Sequence, residues 1–90
     1  MMTDLIKLIE RFQALKDITG TSKSSSYSVS LHFDPWGEGV QVEFGGYDVG
    51  DWSRHEYLKT TVTSLLVDFQ SKVEEAERIV QRDIDWTANQ

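Results

Sequence analysis

Two short segments with alternating apolar and polar residues, joined by a turn-forming sequence, constrain the fold most strongly. Residues 26–33, SYSVSLHF, and residues 40–44, VQVEF, place apolar side chains at every second position. This period is typical of β-strands with one buried face. The intervening DPWGEG has the proline and glycines of a turn. The pattern predicts an antiparallel hairpin with three apolar cross-strand pairs, Phe33–Val40, Leu31–Val42 and Val29–Phe44.

Apolar residues recur at helical spacing on both sides of this hairpin. Residues 3–18 carry one such stripe, and a longer one runs from Leu58 to Ile84. The sequence SRHE at residues 53–56 has the capping-box pattern that often begins a helix. We therefore expect a second helix over about residues 54–83, despite the strand propensity of its early part.

A pair of glycines at residues 45 and 46 lies between two aromatic residues. Such a pair favours a two-residue hairpin loop and would start a third strand at residues 47–51. That strand would place Glu43 beside Asp48, a pair of like charges that disfavours the arrangement. An irregular connector is the alternative.

Together these elements predict an α+β fold in the order helix, antiparallel meander of two or three strands, long helix. Both helices should pack on one face of the sheet. The chain length predicts a single domain, residues 1–90. The absence of cysteine excludes disulfides and thiolate metal sites. The N-terminus lacks the pattern of a signal peptide and no apolar run could span a bilayer, so we expect a cytoplasmic protein.

The charge of the chain limits the classes of molecule that we expect it to bind. Its net charge is −6, which disfavours direct binding to nucleic acid or to anionic membranes. Residues 34–51 contain five carboxylates and neither Lys nor Arg. A tryptophan in the turn, where burial is difficult, is typical of an interface anchor. These features predict a surface that binds a basic protein, formed by Asp34, Trp36, Glu38, Glu43, Asp48 and Asp51.

The favoured function is thus a small, acidic, non-catalytic protein-binding domain. Small acidic single-domain proteins of this size are common among phage and mobile-element accessory factors, and this likeness in size and charge suggests such a role. The alternative is a homodimeric structural or assembly protein, because a helix of about 45 Å would overhang a domain on the order of 30 Å across. The overhang would then need a second copy to cover Val73, Ala76, Ile79 and Val80. Packing of the first helix there would remove that need.

Catalysis is the least favoured hypothesis. His55 could act with Asp51 or Glu56 as an acid–base pair, but the sequence has no G-x-S-x-G or H-E-x-x-H motif. We predict no metal or cofactor site either. No acidic pair in the sequence supplies the 6–8 oxygen ligands that calcium requires.

Overall fold

The computed structural model describes residues 2–19, 26–49 and 52–88, which form two helices and a three-stranded antiparallel sheet. Their order is α1, β1, β2, β3, α2, with bounds Met2–Thr19, Ser28–Phe33, Gly39–Val49, Trp52–Thr61 and Leu65–Ala88. The strands lie in sequence order, so the sheet is a meander. The helices pack on one face of the sheet, and the α+β prediction is confirmed. Neither described helix combines the length and apolarity that a bilayer crossing requires.

The first hairpin has the register that the alternating pattern predicted. All three apolar pairs form, and on the opposite face His32 lies beside Gln41 and Ser30 beside Glu43. This register directs alternate residues of β2 toward the helices, where they enter the core. The opposite side chains of the same strands face away from both helices.

The glycine pair forms a β-bulge inside one long strand instead of a hairpin loop. β2 continues through Gly45 and Gly46, and its register with β3 shifts between Phe44 and Tyr47. Gly46 has a φ of 61°, a conformation that residues with side chains rarely adopt. The extra residue turns Tyr47 onto the same face as Phe44, and both are buried. The predicted hairpin loop, and a separate third strand beginning at residue 47, were therefore wrong: residues 47–49 belong to β2, and residues 50 and 51 lie outside the described residues.

The segment that the capping-box pattern assigned to a helix is a strand. Residues 52–61 form β3 and pair with β2, so that Leu58 faces Val42. α2 begins only at Leu65, after a turn at residues 62–64. The predicted helix start near residue 54 was wrong, because pairing with β2 satisfies the backbone of a segment whose local sequence also fits a strand.

The core lies between the sheet and the two helices, with an aromatic cluster at its centre. Phe12 of α1 lies 5.1 Å from Phe44, 5.6 Å from Tyr47 and 5.8 Å from Tyr27, measured between ring centroids. Phe44 in turn lies 5.1 Å from Phe69 of α2. The rings are tilted or edge-to-face, which is the favoured geometry for aromatic pairs. Phe12 of α1 thus packs against three rings on the sheet side, and Phe44 connects this cluster to Phe69 of α2.

α1 packs against α2 and buries most of the stripe that was expected to need a second copy. Val73, Ala76 and Val80 are each 4% exposed or less within the single chain. The predicted dimer interface is therefore contradicted for these three residues, because the chain itself covers them. Only Ile79 of the predicted set is partly exposed. The molecule extends 50 Å along its longest axis, which exceeds the roughly 36 Å length of the 24-residue α2 at about 1.5 Å per residue.

Candidate partner-binding site

The turn between β1 and β2 is held by its first residue. Asp34 N donates to Gly39 O at 2.9 Å, and Asp34 Oδ1 accepts a hydrogen bond from Trp36 N at 2.9 Å. An aspartate that accepts from the N–H two residues further on forms an Asx-turn. We call residues 33–38 the hairpin tip. Its backbone is fixed by hydrogen bonds within the turn itself.

Apolar side chains are exposed at this end of the sheet. Trp36 is 94% exposed, and Phe33, the last residue of β1, is 56% exposed. The neighbouring turn between β3 and α2 docks on the tip, because Val62 N donates to Glu38 O at 2.9 Å. Val62 is also exposed. Large apolar side chains held outward on a fixed turn are typical of interaction surfaces.

A shallow groove of about 330 Å³ lies beside the hairpin tip. Its lining includes Phe33 and Asp34 from the tip and Lys59 from β3. Lys59 therefore brings a positive charge into a region that the sequence predicted to be purely acidic. The groove has space for a partner side chain beside Phe33 and Asp34 of the tip.

Of the carboxylates that were expected to form one acidic surface, two lie at the hairpin tip and two lie in β2. Asp34 and Glu38 lie at the tip, Glu43 lies five residues further on, and Asp48 another five. At roughly 3.3 Å per residue, the backbones of Glu38 and Asp48 are about 33 Å apart. The side chain of Asp48 and the whole of Asp51 lie outside the described residues. The structure therefore does not bring Asp34, Glu38, Glu43 and the backbone of Asp48 into one compact cluster.

Glu43 belongs to the open face of the sheet, opposite the helices. It lies between Ser30 of β1 and Tyr57 of β3, and its Oε1 is 3.9 Å from His55 Nδ1. Lys59 lies on the same face of β3. The open face thus mixes acidic, basic and neutral groups around Glu43.

A partly buried polar cluster, which the sequence analysis missed, joins α2 to the sheet. Tyr47 Oη donates to Glu56 Oε1 at 2.7 Å, and Lys72 Nζ lies 2.5 Å from Glu56 Oε2. Arg54 Nε lies 3.1 Å from Glu56 Oε1. Burial alone would raise the pKa of Glu56, but the hydrogen bonds from Lys72 and Tyr47 and the charges of Lys72 and Arg54 outweigh it and lower that pKa.

The same contacts hold the partners of Glu56 in their ordinary charge states. Burial and the hydrogen bond to Glu56 raise the pKa of Tyr47. Burial would lower the pKa of Lys72, but the hydrogen bond and charge of Glu56, with help from Glu75, raise it. The phenol is thus neutral and the ammonium charged at neutral pH, whereas a catalytic base or nucleophile needs the opposite shifts. We interpret this cluster as a structural link between β2, β3 and α2.

His55 is not placed as the acid–base hypothesis required. It lies in β3, and not in the first turn of a helix. Its ring approaches Glu43 on the open face, whereas Glu56 points toward the helices. Asp51 lies outside the described residues. Within the described ranges, no three side chains of metal-binding type come together.

Comparison of the chain with known protein families, with curated proteins and with solved structures found no match. Function is therefore inferred from the geometry of the chain. Of the six residues predicted to bind a partner, the structure brings Asp34, Trp36 and Glu38 together at the hairpin tip. It adds Phe33 and Val62, whose exposure depends on where the sheet ends and could not be derived from local sequence.

Proposed function

We propose that this chain is a non-catalytic protein-binding module that engages its partner through the hairpin tip, with Trp36 as the anchor. The observation that carries the proposal is the 94% exposure of this indole on a hydrogen-bonded turn. Burial of an aromatic side chain at the centre of an interface commonly contributes about 2 kcal/mol or more to binding. Phe33 and Val62 would add apolar area beside it.

The fixed backbone of the tip supports this function. Association loses free energy when it must order loops and side chains, and a loop held in its bound shape avoids part of that loss. The hydrogen bonds of Asp34 to Trp36 and Gly39 hold the turn before any partner arrives. The partner would therefore meet a turn that is already organised.

The charge of the tip favours a partner pocket with a basic rim. Asp34 and Glu38 contribute −2 within five residues that contain no Lys or Arg. Charges at the rim of an interface act mainly on the association rate and on its salt dependence. The proposal leaves out Glu43 and Asp48, since they do not share the tip, and Asp51, which lies outside the described residues. Occupation of a basic site by such a tip would suit an accessory factor of a phage or mobile element.

The test compares two exposed tryptophans. A partner captured on the immobilised chain from a lysate of the native host is identified by mass spectrometry and then titrated against purified variants. Trp36→Ala should weaken binding by about 30-fold, the equivalent of a typical hot spot. Trp86→Ala is the matched control, because Trp86 is 67% exposed but lies near the end of α2. Equal affinities for Trp36→Ala and the wild type would reject the tip as the site.

A second variant tests the electrostatic part of the proposal. Asp34→Asn with Glu38→Gln removes both charges, while the new amide oxygen can still accept from Trp36 N. We expect slower association and a weaker salt dependence with little change in dissociation rate. An association rate and salt dependence equal to those of the wild type would contradict a basic rim on the partner.

A further inference from the structure

β1 is an edge strand without the features that usually prevent an edge from pairing. Its sequence, SVSLHF at Ser28–Phe33, contains no proline and none of Asp, Glu, Lys or Arg. Natural proteins commonly place lysines, prolines or bulges on exposed edges. The other edge strand, β3, carries Arg54 and Lys59. In the part of the chain that the structure describes, β1 pairs with β2 alone.

The hydrogen-bond pattern shows which backbone groups of β1 face outward. Asp34 N donates to Gly39 O directly beyond the Phe33–Val40 pair. Hydrogen-bonded and non-hydrogen-bonded pairs alternate along an antiparallel ladder. The N–H and C=O groups of the even-numbered residues of β1 therefore face β2. Those of the odd-numbered residues face the free edge, at Val29, Leu31 and Phe33.

The helix layer covers the side chains of the same three residues incompletely. Val29 and Leu31 are only partly buried, and Phe33 is 56% exposed. A strand added to this edge would therefore satisfy their backbone groups and also shield their apolar side chains. The backbone bonds would form at the edge of the sheet, and the shielded side chains lie on the same face as the helices.

We propose that two copies of this chain pair antiparallel through β1, about a two-fold axis at Leu31, to form a continuous six-stranded sheet. In this register Leu31 faces Leu31 of the second copy, and Val29 faces Phe33 of the second copy. Each outward-facing residue exchanges both backbone hydrogen bonds with its opposite residue, roughly six bonds in total. The helices of both copies lie on one face of the joint sheet.

A second copy is the occupant because the strand is complementary to itself. The two-fold register keeps apolar side chains opposite apolar side chains and polar opposite polar, with Ser30 facing His32 of the second copy. Since the strand carries no Asp, Glu, Lys or Arg, two chains of net charge −6 meet at a segment without acidic charge. A two-fold interface uses the same patch on both subunits, as this arrangement does. The proposal does not depend on Trp36 or on its partner.

The test uses two double variants of the full chain on the open face of β1, where Ser30 and His32 are exposed. The double variant Ser30→Lys with His32→Lys places one lysine opposite another at two positions across the interface. Ser30→Lys with His32→Glu places opposite charges there in the same register. Analytical ultracentrifugation up to about 1 mM should show a wild-type dimer. The first variant should weaken it about tenfold, and the second should leave it intact or tighten it.

Amide hydrogen exchange supplies a second measurement. With rising protein concentration, the amides of Val29, Leu31 and Phe33 should become protected, because the even-numbered amides of β1 already bond to β2. A wild-type chain that stays monomeric at about 1 mM would overturn the proposal. So would equal weakening by both double variants, or concentration-dependent protection confined to other residues. Circular dichroism of each variant controls for loss of the fold.

Discussion

Replacement of Glu56 by glutamine tests whether the cluster of Tyr47, Glu56 and Lys72 stabilises the fold. Glu56 and Lys72 have side-chain exposures of only 14% and 21%, and their charged atoms lie 2.5 Å apart. The substitution keeps the shape and an acceptor for Tyr47, but it leaves the ammonium of Lys72 without its main countercharge. Loss of one partner of a fully buried pair costs about 3–5 kcal/mol. Because this pair is partly solvated, we expect a loss of about 2 kcal/mol at pH 7.

The lowered pKa of Glu56 predicts how the stability difference between the wild type and Glu56→Gln changes with pH. The folded-state pKa of Glu56 lies below its ordinary value of 4.5. Its contribution to stability is therefore present above the pKa of the unfolded chain and is lost as the pH falls through the lowered folded pKa. The wild type and Glu56→Gln should differ most near neutrality and converge in acid, when the carboxyl group is protonated.

Urea unfolding followed by circular dichroism, at several pH values between about 7 and 3, measures this difference. Glu77→Gln is the matched control, because the salt bridge of Glu77 with Arg11, at 2.6 Å, joins two more exposed side chains. Such exposed pairs contribute about 0–1 kcal/mol. Equal stability of Glu56→Gln and the wild type at pH 7 would refute the reasoning. A gap that stays constant down to pH 3 would refute it as well.

Three further predictions concern stability. Phe12→Leu should lower the free energy of unfolding by about 1–2 kcal/mol in urea titrations, since a smaller side chain leaves a void among the aromatic rings. Gly45→Ala should cost about 1 kcal/mol, because a Cβ there would lie 2.6 Å from Ser28 Oγ. That cost should shrink in a Ser28→Ala background, and an unchanged cost would contradict the steric reason. The raised pKa values of Tyr47 and Lys72 predict stability that is complete below about pH 10 and falls above it in pH-dependent thermal melts. If Tyr47→Phe lost as much stability at alkaline pH as the wild type does, ionisation of the phenol could not be a cause of that loss.

The register of the first hairpin could be predicted because the residues that determine it lie close together in the sequence. From Val29 to Phe44, apolar residues alternate on both sides of a single recognisable turn, and any other register would expose them. The structure confirms each of these pairs. The exposure of Trp36 followed from the same turn chemistry, since a tryptophan between proline and glycine at a tip has little of its own chain to cover it.

β3 could not be recognised because its inward-facing residues are not all apolar. Glu56 and Thr60 point toward the helices, where Lys72 and Asp68 of α2 satisfy them. These partners lie 8 or more residues away and become neighbours only in the folded chain. Without them, the alternation of β3 is hidden, and the serine and glutamate of the capping-box pattern indicated a helix.

The site was only partly predictable for a related reason. Carboxylates that follow one another in the sequence form a compact surface patch only if the chain folds back on itself. The glycine pair was expected to supply that reversal, but β2 continues straight past it. Glu43 and the backbone of Asp48 are thereby separated along β2, and only Asp34 and Glu38 lie together at the tip.

The bulge at Gly46 also sets how the gene for this chain can vary in length. Removal of one glycine would restore regular pairing and leave Tyr47 opposite Arg54, with its ring still on the helix side of the sheet. Removal of one residue elsewhere in β2 would turn one end of the strand to the opposite face. Insertions between Pro35 and Glu38 would lengthen only a projecting turn. Natural variants should therefore tolerate changes of length at the glycine pair and at the hairpin tip, and conserve the length of β2 elsewhere.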